Sequence, residues 1–96
     1  MNNTRMISAE EAHDTGMTLE LDWTKVDPDQ FRQGLQVELE HGSRDSDTNV
    51  TSDDLTLTGK IAWAHLKEFP DYYTRLKKME TEADAYWVSH GRSKSA

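Results

Sequence analysis

The fold turns on residues 34–75, and within them on two stretches. One is Gly34-Leu35-Gln36-Val37-Glu38-Leu39-Glu40-His41-Gly42; the other is Thr58-Gly59-Lys60-Ile61-Ala62-Trp63-Ala64-His65-Leu66-Lys67-Glu68-Phe69-Pro70-Asp71-Tyr72-Tyr73. At about 100° per residue, Phe31, Gly34, Leu35, Glu38 and Gly42 fall on one side of a helix, with His41 at the edge of that arc and Leu39 on the other flank. Leu55, Thr58, Ile61, Ala62, His65, Leu66 and Phe69 share a face of the next helix, and Gly59 offers a point of close approach. Each stretch sets a carboxylate and a histidine three residues apart, as Glu38–His41 and His65–Glu68. Glu38 and His65 lie inside arcs that are otherwise apolar. Burying a carboxylate without a partner costs on the order of several kcal/mol, so Glu38 requires one.

Working outward, Asp27-Pro28-Asp29-Gln30 reads as the start of the first of these helices. Asp27 can cap, Pro28 suits the first helical position, Asp29 complements the dipole, and Gln30 can complete a capping box. This helix is expected over 28–41, ending at Gly42. Residues 43–52 form a polar loop in which Asp45, Asp47, Asn49, Thr51 and Asp53 alternate, as in a calcium-binding loop. Val50 stands where such a loop needs glycine, and Thr56 where it needs a bidentate glutamate; Asx turns and capping account for these residues. Thr51-Ser52-Asp53-Asp54 is a second box, opening a helix over about 52–69. Pro70 would clash with the Leu66 carbonyl and so opens a third long helix, over about 70–87. Its stripe is Tyr72, Leu76, Met79, Ala83 and Tyr86 or Trp87, with Lys77 and Lys78 among Glu80, Glu82 and Asp84 on the solvent side.

Upstream, Ser8-Ala9-Glu10-Glu11 is a capping box, with Ile7 and Ala12 placed to form a hydrophobic staple. This short helix is expected to end at Gly16, in the left-handed position after its last turn. Met17, Leu19, Leu21 and Trp23 alternate, but a single strand has nothing to pair with. An extended or irregular connector packing Leu19, Leu21 and Trp23 onto the helices is the better reading. Residues 1–6 are expected to fray and 89–96 to form a disordered tail. The expectation is an all-α fold: a small helical bundle of one short and three longer helices with an extended N-terminal connector, one domain over 7–88. Its core would hold Phe31, Leu35, Leu39, Leu55, Ile61, Ala62, Leu66, Phe69, Tyr72, Leu76 and Met79.

Composition narrows the function. Ninety-six residues support one domain with a small core, and 34% hydrophobic against 30% charged residues leaves little apolar surplus. Without cysteine there is no disulfide framework, thiolate metal site or cysteine nucleophile. No apolar run has the length of a membrane span, and the N-terminus lacks a signal peptide's apolar region, so a cytoplasmic protein is expected and no membrane partner. The Asn49-Val50-Thr51 sequon is discounted on the same ground. A net charge of −7 argues against sequence-independent nucleic-acid binding. It suits solubility, a basic partner, or imitation of a phosphate backbone, for which the acidic loop 45–54 is the only candidate.

Glu38, His41, His65 and Glu68 admit two readings. In one, Glu38 and a histidine form a buried hydrogen-bonded pair, completed by the hydroxyl of Tyr72, Tyr73 or Thr58. In the other, the four side chains are metal ligands suited to Fe, Mn or Zn, because Glu-x-x-His on a helix supplies two donors one turn apart. No cofactor is expected on the first reading. A His-Glu-x-x-His motif is absent, and no Ser or Thr sits in a nucleophile elbow, so no catalytic residue is assigned. Helices joined by a loop of this size commonly pack antiparallel, which does not of itself bring Glu38 and His41 to His65 and Glu68; a steep crossing, or the turn at Pro70 folding Asp71 and Tyr72 back, could, and spacing does not decide between them. Trp63, Tyr72, Tyr73 and Trp87 are the candidates for a contact patch toward a protein partner, though Trp63 also fits the edge of a small core.

Residues 31–76 resemble an uncharacterised family of short bacterial and phage-encoded proteins. The resemblance is carried by Phe31, Gly34-Leu35, Val37-Glu38-Leu39-Glu40-His41-Gly42, Asn49-Val50-Thr51, Asp53-Asp54, Thr58-Gly59-Lys60-Ile61-Ala62, Ala64-His65-Leu66, Glu68, Pro70-Asp71-Tyr72-Tyr73 and Arg75-Leu76. It implies a self-contained helical module that travels with mobile elements, and it transfers no activity. The function expected is therefore a small acidic, non-enzymatic interaction or regulatory module, with metal binding as the alternative.

Overall fold

The computed structural model describes residues 6–44, 47 and 54–91. Four helices follow one another: α1 (Ala9–Thr18), α2 (Pro28–Arg44), α3 (Leu55–Glu68) and α4 (Tyr72–Ser89). No strand occurs among the described residues, so the chain is a small all-α bundle. The calcium-like alternation of residues 45–53 lies outside the described residues, apart from Asp47, as do residues 1–5, where fraying is expected, and 92–96 of the expected tail.

The helix starts follow local chemistry. Ser8 caps α1 by accepting from the Glu11 amide at 3.1 Å, and the Glu11 carboxylate accepts in return from the Ser8 amide at 3.3 Å. Ile7 and Ala12, the two staple positions, are both buried. Asp27 accepts from the Gln30 amide at 3.3 Å. Asp54 opens α3, taking the Thr56 and Leu57 amides at 2.8 and 3.1 Å. It is thus the cap itself, and α3 begins later than the 51–54 box suggests.

Helix ends depart further from expectation. Gly16 does not terminate α1, and Gly42 is a buried residue inside α2, which continues to Arg44. The left-handed position after α1 is taken by Glu20, with φ 60°. There the Glu20 amide donates to the Met17 carbonyl and the Leu21 amide to the Gly16 carbonyl, both at 3.0 Å, which is a Schellman closure. Gly16 is used instead for space: a Cβ on it would lie 2.3 Å from the Trp23 ring. The connector then turns through residues 19–27 with Leu21 and Val26 buried and Leu19 and Trp23 half-buried, as an irregular segment packed onto the helices.

α4 starts at Tyr72, after a turn holding Pro70, and runs on to Ser89. Its cap residue, Asp71, makes no side-chain cap bond, because its carboxylate takes Arg75 Nε at 2.7 Å. The Tyr73 amide is satisfied from another helix: the Gln30 side chain accepts it at 3.1 Å and donates to Thr74 Oγ1 at 2.7 Å. Gln30, expected to close its own capping box, therefore caps α4 across the bundle.

The core comprises Ile7, Ala12, Leu21, Val26, Phe31, Leu35, Leu39, Ala62, Leu66 and Tyr73. Leu55, Tyr72 and Leu76 pack against it half-buried, and Ile61 is half-buried as well. Phe69 and Met79 were expected inside and are 44% and 57% exposed. Phe69 closes α3 in an extended conformation that turns it outward, where the Arg75 guanidinium covers its ring at 4.1 Å. Leu21 and Val26 from the connector and Tyr73 from α4 take buried places in the core instead, and the Trp23 ring lies edge-on to Phe31 at 5.9 Å.

Candidate functional site

Two helices converge through glycine. A Cβ on Gly34 would meet Tyr73 Cε2 at 2.6 Å and Ala62 Cβ at 2.9 Å, so α2 can admit both α3 and the Tyr73 ring only because that side chain is missing. Gly59 works likewise, with Leu19, Thr15 and Phe31 within 3.3 Å of the Cβ position. The partners step forward together: Phe31 reaches Gly59, Gly34 faces Ala62, and Glu38 reaches His65. A simple antiparallel pair would step in opposite senses. The α2–α3 crossing thereby brings Glu38 to His65, which spacing alone leaves open.

Three polar side chains meet there. The Tyr73 hydroxyl donates to Glu38 Oε2 at 2.8 Å. His65 Nδ1 lies 2.9 Å from the Tyr73 oxygen and 3.0 Å from Glu38 Oε2. The phenol's one proton goes to the carboxylate, so Nδ1 faces two acceptors and must itself carry a hydrogen. The Glu38 side chain is 10% exposed and that of His65 33%. Tyr72 stacks flat on the imidazole, with centroids 4.4 Å apart, and fixes its plane. Burial pushes the Tyr73 phenol well above its ordinary pKa, and the negative charge of Glu38 beside it adds to the effect. The phenol is therefore a neutral donor across the whole physiological range. Three helices thus bring Glu38, His65 and the Tyr73 hydroxyl into one part-buried hydrogen-bonded group.

Of the four candidate metal ligands, Glu38 and His65 come together. His41 turns to α4, with Nε2 3.6 Å from Glu80 Oε2. Glu68 is exposed near the end of α3. Among the described residues no group of three His, Cys, Asp or Glu side chains is placed to hold a metal ion. Of the candidate contact residues, Tyr73 is 2% exposed and belongs to the core, so it has no surface to offer a partner. Trp63 is half-buried with Lys67 Nζ 4.4 Å above its ring, Tyr72 is held by His65, and Trp87 packs edge-on against Tyr86.

Two further surface features emerge. Between α2 and α4 lies an open groove of about 380 Å³, whose lining includes Val37, Tyr73 and Leu76 with Arg32, Lys77 and Glu80. Beyond Glu80, α4 has no buried residue. The apolar stripe of α4 is visible in the sequence, but where the bundle stops covering it is not.

The profile of the family described as Protein of unknown function (DUF5661) matches residues 12–82. The chain belongs to this family. The DUF5661 match takes in most of α1, all of α2 and α3 and more than half of α4, and with them Glu38, His65 and Tyr73. No curated protein and no solved structure is similar to the chain. No helix of the described residues is long and apolar enough to cross a membrane.

Proposed function

We propose that the chain is a small acidic, non-enzymatic interaction module that meets a partner protein through the outer half of α4. One observation carries this reading: from Lys77 onward no residue of α4 is buried, yet Met79 and Tyr86 stay largely exposed on one flank of it. A helix continued past its own bundle with an apolar flank is the form of a docking element. A cytoplasmic setting and an association with mobile elements belong to the same proposal; the first is supported by the lack of a membrane-length apolar helix among the described residues and the second by the resemblance of residues 31–76. A photo-crosslinking residue in place of Glu82, in cells that carry the gene, should trap a discrete adduct that the same residue in place of Lys60 on α3 does not. No adduct from either position, or equal adducts from both, would sink the proposal.

Metal binding is the second reading, favoured by the 3.0 Å approach of His65 to Glu38. It requires stoichiometric Fe, Mn or Zn in untagged protein purified without chelator, and a melting temperature that falls in EDTA. Absence of metal with an unchanged melting curve removes it.

A further inference from the structure

The metal reading above leaves open which atoms would hold an ion, and His65 bears on that question through the nitrogen it does not turn inward. Its Nδ1 is committed to Glu38 Oε2 at 3.0 Å, and the Tyr73 hydroxyl closes the group at 2.8 Å. A neutral imidazole with its hydrogen on Nδ1 has its lone pair on Nε2. That Nε2 has no hydrogen-bond partner among the described residues and is not sealed from solvent. Tyr72, stacked on the ring at 4.4 Å, holds it in this orientation. An imidazole that gives one N–H to a carboxylate and presents the other nitrogen outward is the form in which histidine binds transition metals. The carboxylate fixes the tautomer and makes the outer nitrogen the better electron-pair donor.

A second donor stands beside it. Glu68 follows three residues on, and helical side chains lean toward the N-terminus, which places Glu68 over the turn of α3 that holds His65. Glu68 is exposed, and no hydrogen bond or ion pair fixes it among the described residues. The cations close in sequence are turned to other partners: Lys67 Nζ lies over the Trp63 ring, and Arg75 Nε holds Asp71 at 2.7 Å. The other histidines offer less. His41 Nε2 already faces Glu80, and His13 Nδ1 is 3.9 Å from Asp14, too far for a hydrogen bond to fix its tautomer. His90 turns Nδ1 to the Tyr86 carbonyl at 2.7 Å but has no carboxylate within four residues. We infer, resting on the metal reading, that His65 Nε2 and Glu68 bind a divalent transition cation such as zinc, with Glu38 outside the coordination sphere as the residue that positions the imidazole. Two donors are fewer than a structural zinc site uses, so water completes the sphere and the ion exchanges.

The test uses the full chain, stripped of metal by chelator, and zinc chloride. Imidazole nitrogen–proton correlation spectra should show the His65 Nε2 resonance shifting to saturation while the Nδ1 hydrogen persists. His65→Gln should remove this site, whereas His13→Gln and His90→Gln should leave it. Glu68→Gln, at an exposed position, should weaken zinc about tenfold with the helical signal unchanged. Glu38→Gln keeps both donors; it should weaken zinc about tenfold as well and mix the two His65 tautomers, which the nitrogen shifts read directly. Equal affinity of Glu68→Gln and the unaltered chain overturns the inference, as does zinc that shifts His13 or His90 in place of His65. Zinc that displaces the Nδ1 hydrogen overturns it too, but leaves the metal reading standing with Glu38 and His65 as joint ligands. If zinc leaves His65 unmoved and the protein as purified holds no metal, both fall.

Discussion

Tyr73 is the residue on which the interior depends. Its ring fills the space left by Gly34, its amide is capped by Gln30, and its hydroxyl joins Glu38 to His65. Tyr73→Phe keeps the ring and removes one donor from a nearly buried carboxylate, which should cost about 1–3 kcal/mol in urea unfolding at neutral pH. The sign of its pH dependence follows from the raised pKa. The folded state favours the neutral phenol, so this stabilisation is complete below the unfolded value of about 10 and declines as pH rises above it. Between pH about 9 and 11, unaltered protein should therefore lose more stability than Tyr73→Phe. The Tyr73 phenolate absorbance, isolated by difference against that variant, should appear only as the helical signal is lost. A Tyr73 phenolate forming near pH 10 in protein with intact helix would contradict the burial argument. Glu38→Gln and His65→Ala should couple by about 0.5–3 kcal/mol in a double-mutant cycle; simple additivity would mean that the 3.0 Å contact carries no energy.

Elements here are closed as much by their neighbours as by themselves. α1 ends in a Schellman closure with Glu20 in the left-handed region, where a side chain is disfavoured. Glu20→Gly should raise stability by up to about 1 kcal/mol, read as a higher melting temperature, whereas Glu20→Ala should give no such gain. α4 lacks a local cap bond and borrows one from Gln30. Gln30→Ala should cost about 1–2 kcal/mol and speed amide exchange at Tyr73 and Thr74 more than at the start of α3. Uniform acceleration across both helices would show that Gln30 acts on global stability instead.

At the scale of the whole molecule, the chain is a compact set of three helices and a connector with part of a fourth helix extending beyond it. The overall extents, 44 × 25 × 20 Å, match that asymmetry. α4 follows α2 from Gln30 at Thr74 to His41 at Glu80, after which α2 has one turn left. None of residues 81–89 is buried, so their amides should exchange far faster than those of residues 31–39, by an opening that does not require global unfolding. Protection equal to that of α2 would mean that this part of α4 is covered in solution.

Much of this architecture was legible because local chemistry and helical period act within a few residues. Ser8 with Glu11, and Asp27 before Pro28, specify helix starts whatever lies elsewhere, and the arcs through Phe31, Leu35, Leu39, Ala62 and Leu66 specify the buried faces. The need of Glu38 for a partner followed from desolvation alone. Which residue meets that need was decided by the α2–α3 crossing, since Gly34 and Gly59 permit an approach whose direction no periodicity encodes. Gly16 and Gly42 read as terminators and lie in helix interiors, and Gly16 serves a close contact with Trp23: a glycine marks either a left-handed turn or a close contact, and only the neighbour tells which. Phe69 and Met79 satisfy the apolar period and are nevertheless exposed, because burial needs an opposing surface as well as a face. The sequence determined four helices and their inward sides; the tertiary structure decided that Glu38, His65 and Tyr73 meet, and that no residue of α4 from Lys77 onward is buried, because burial needs an opposing surface that helical period does not encode.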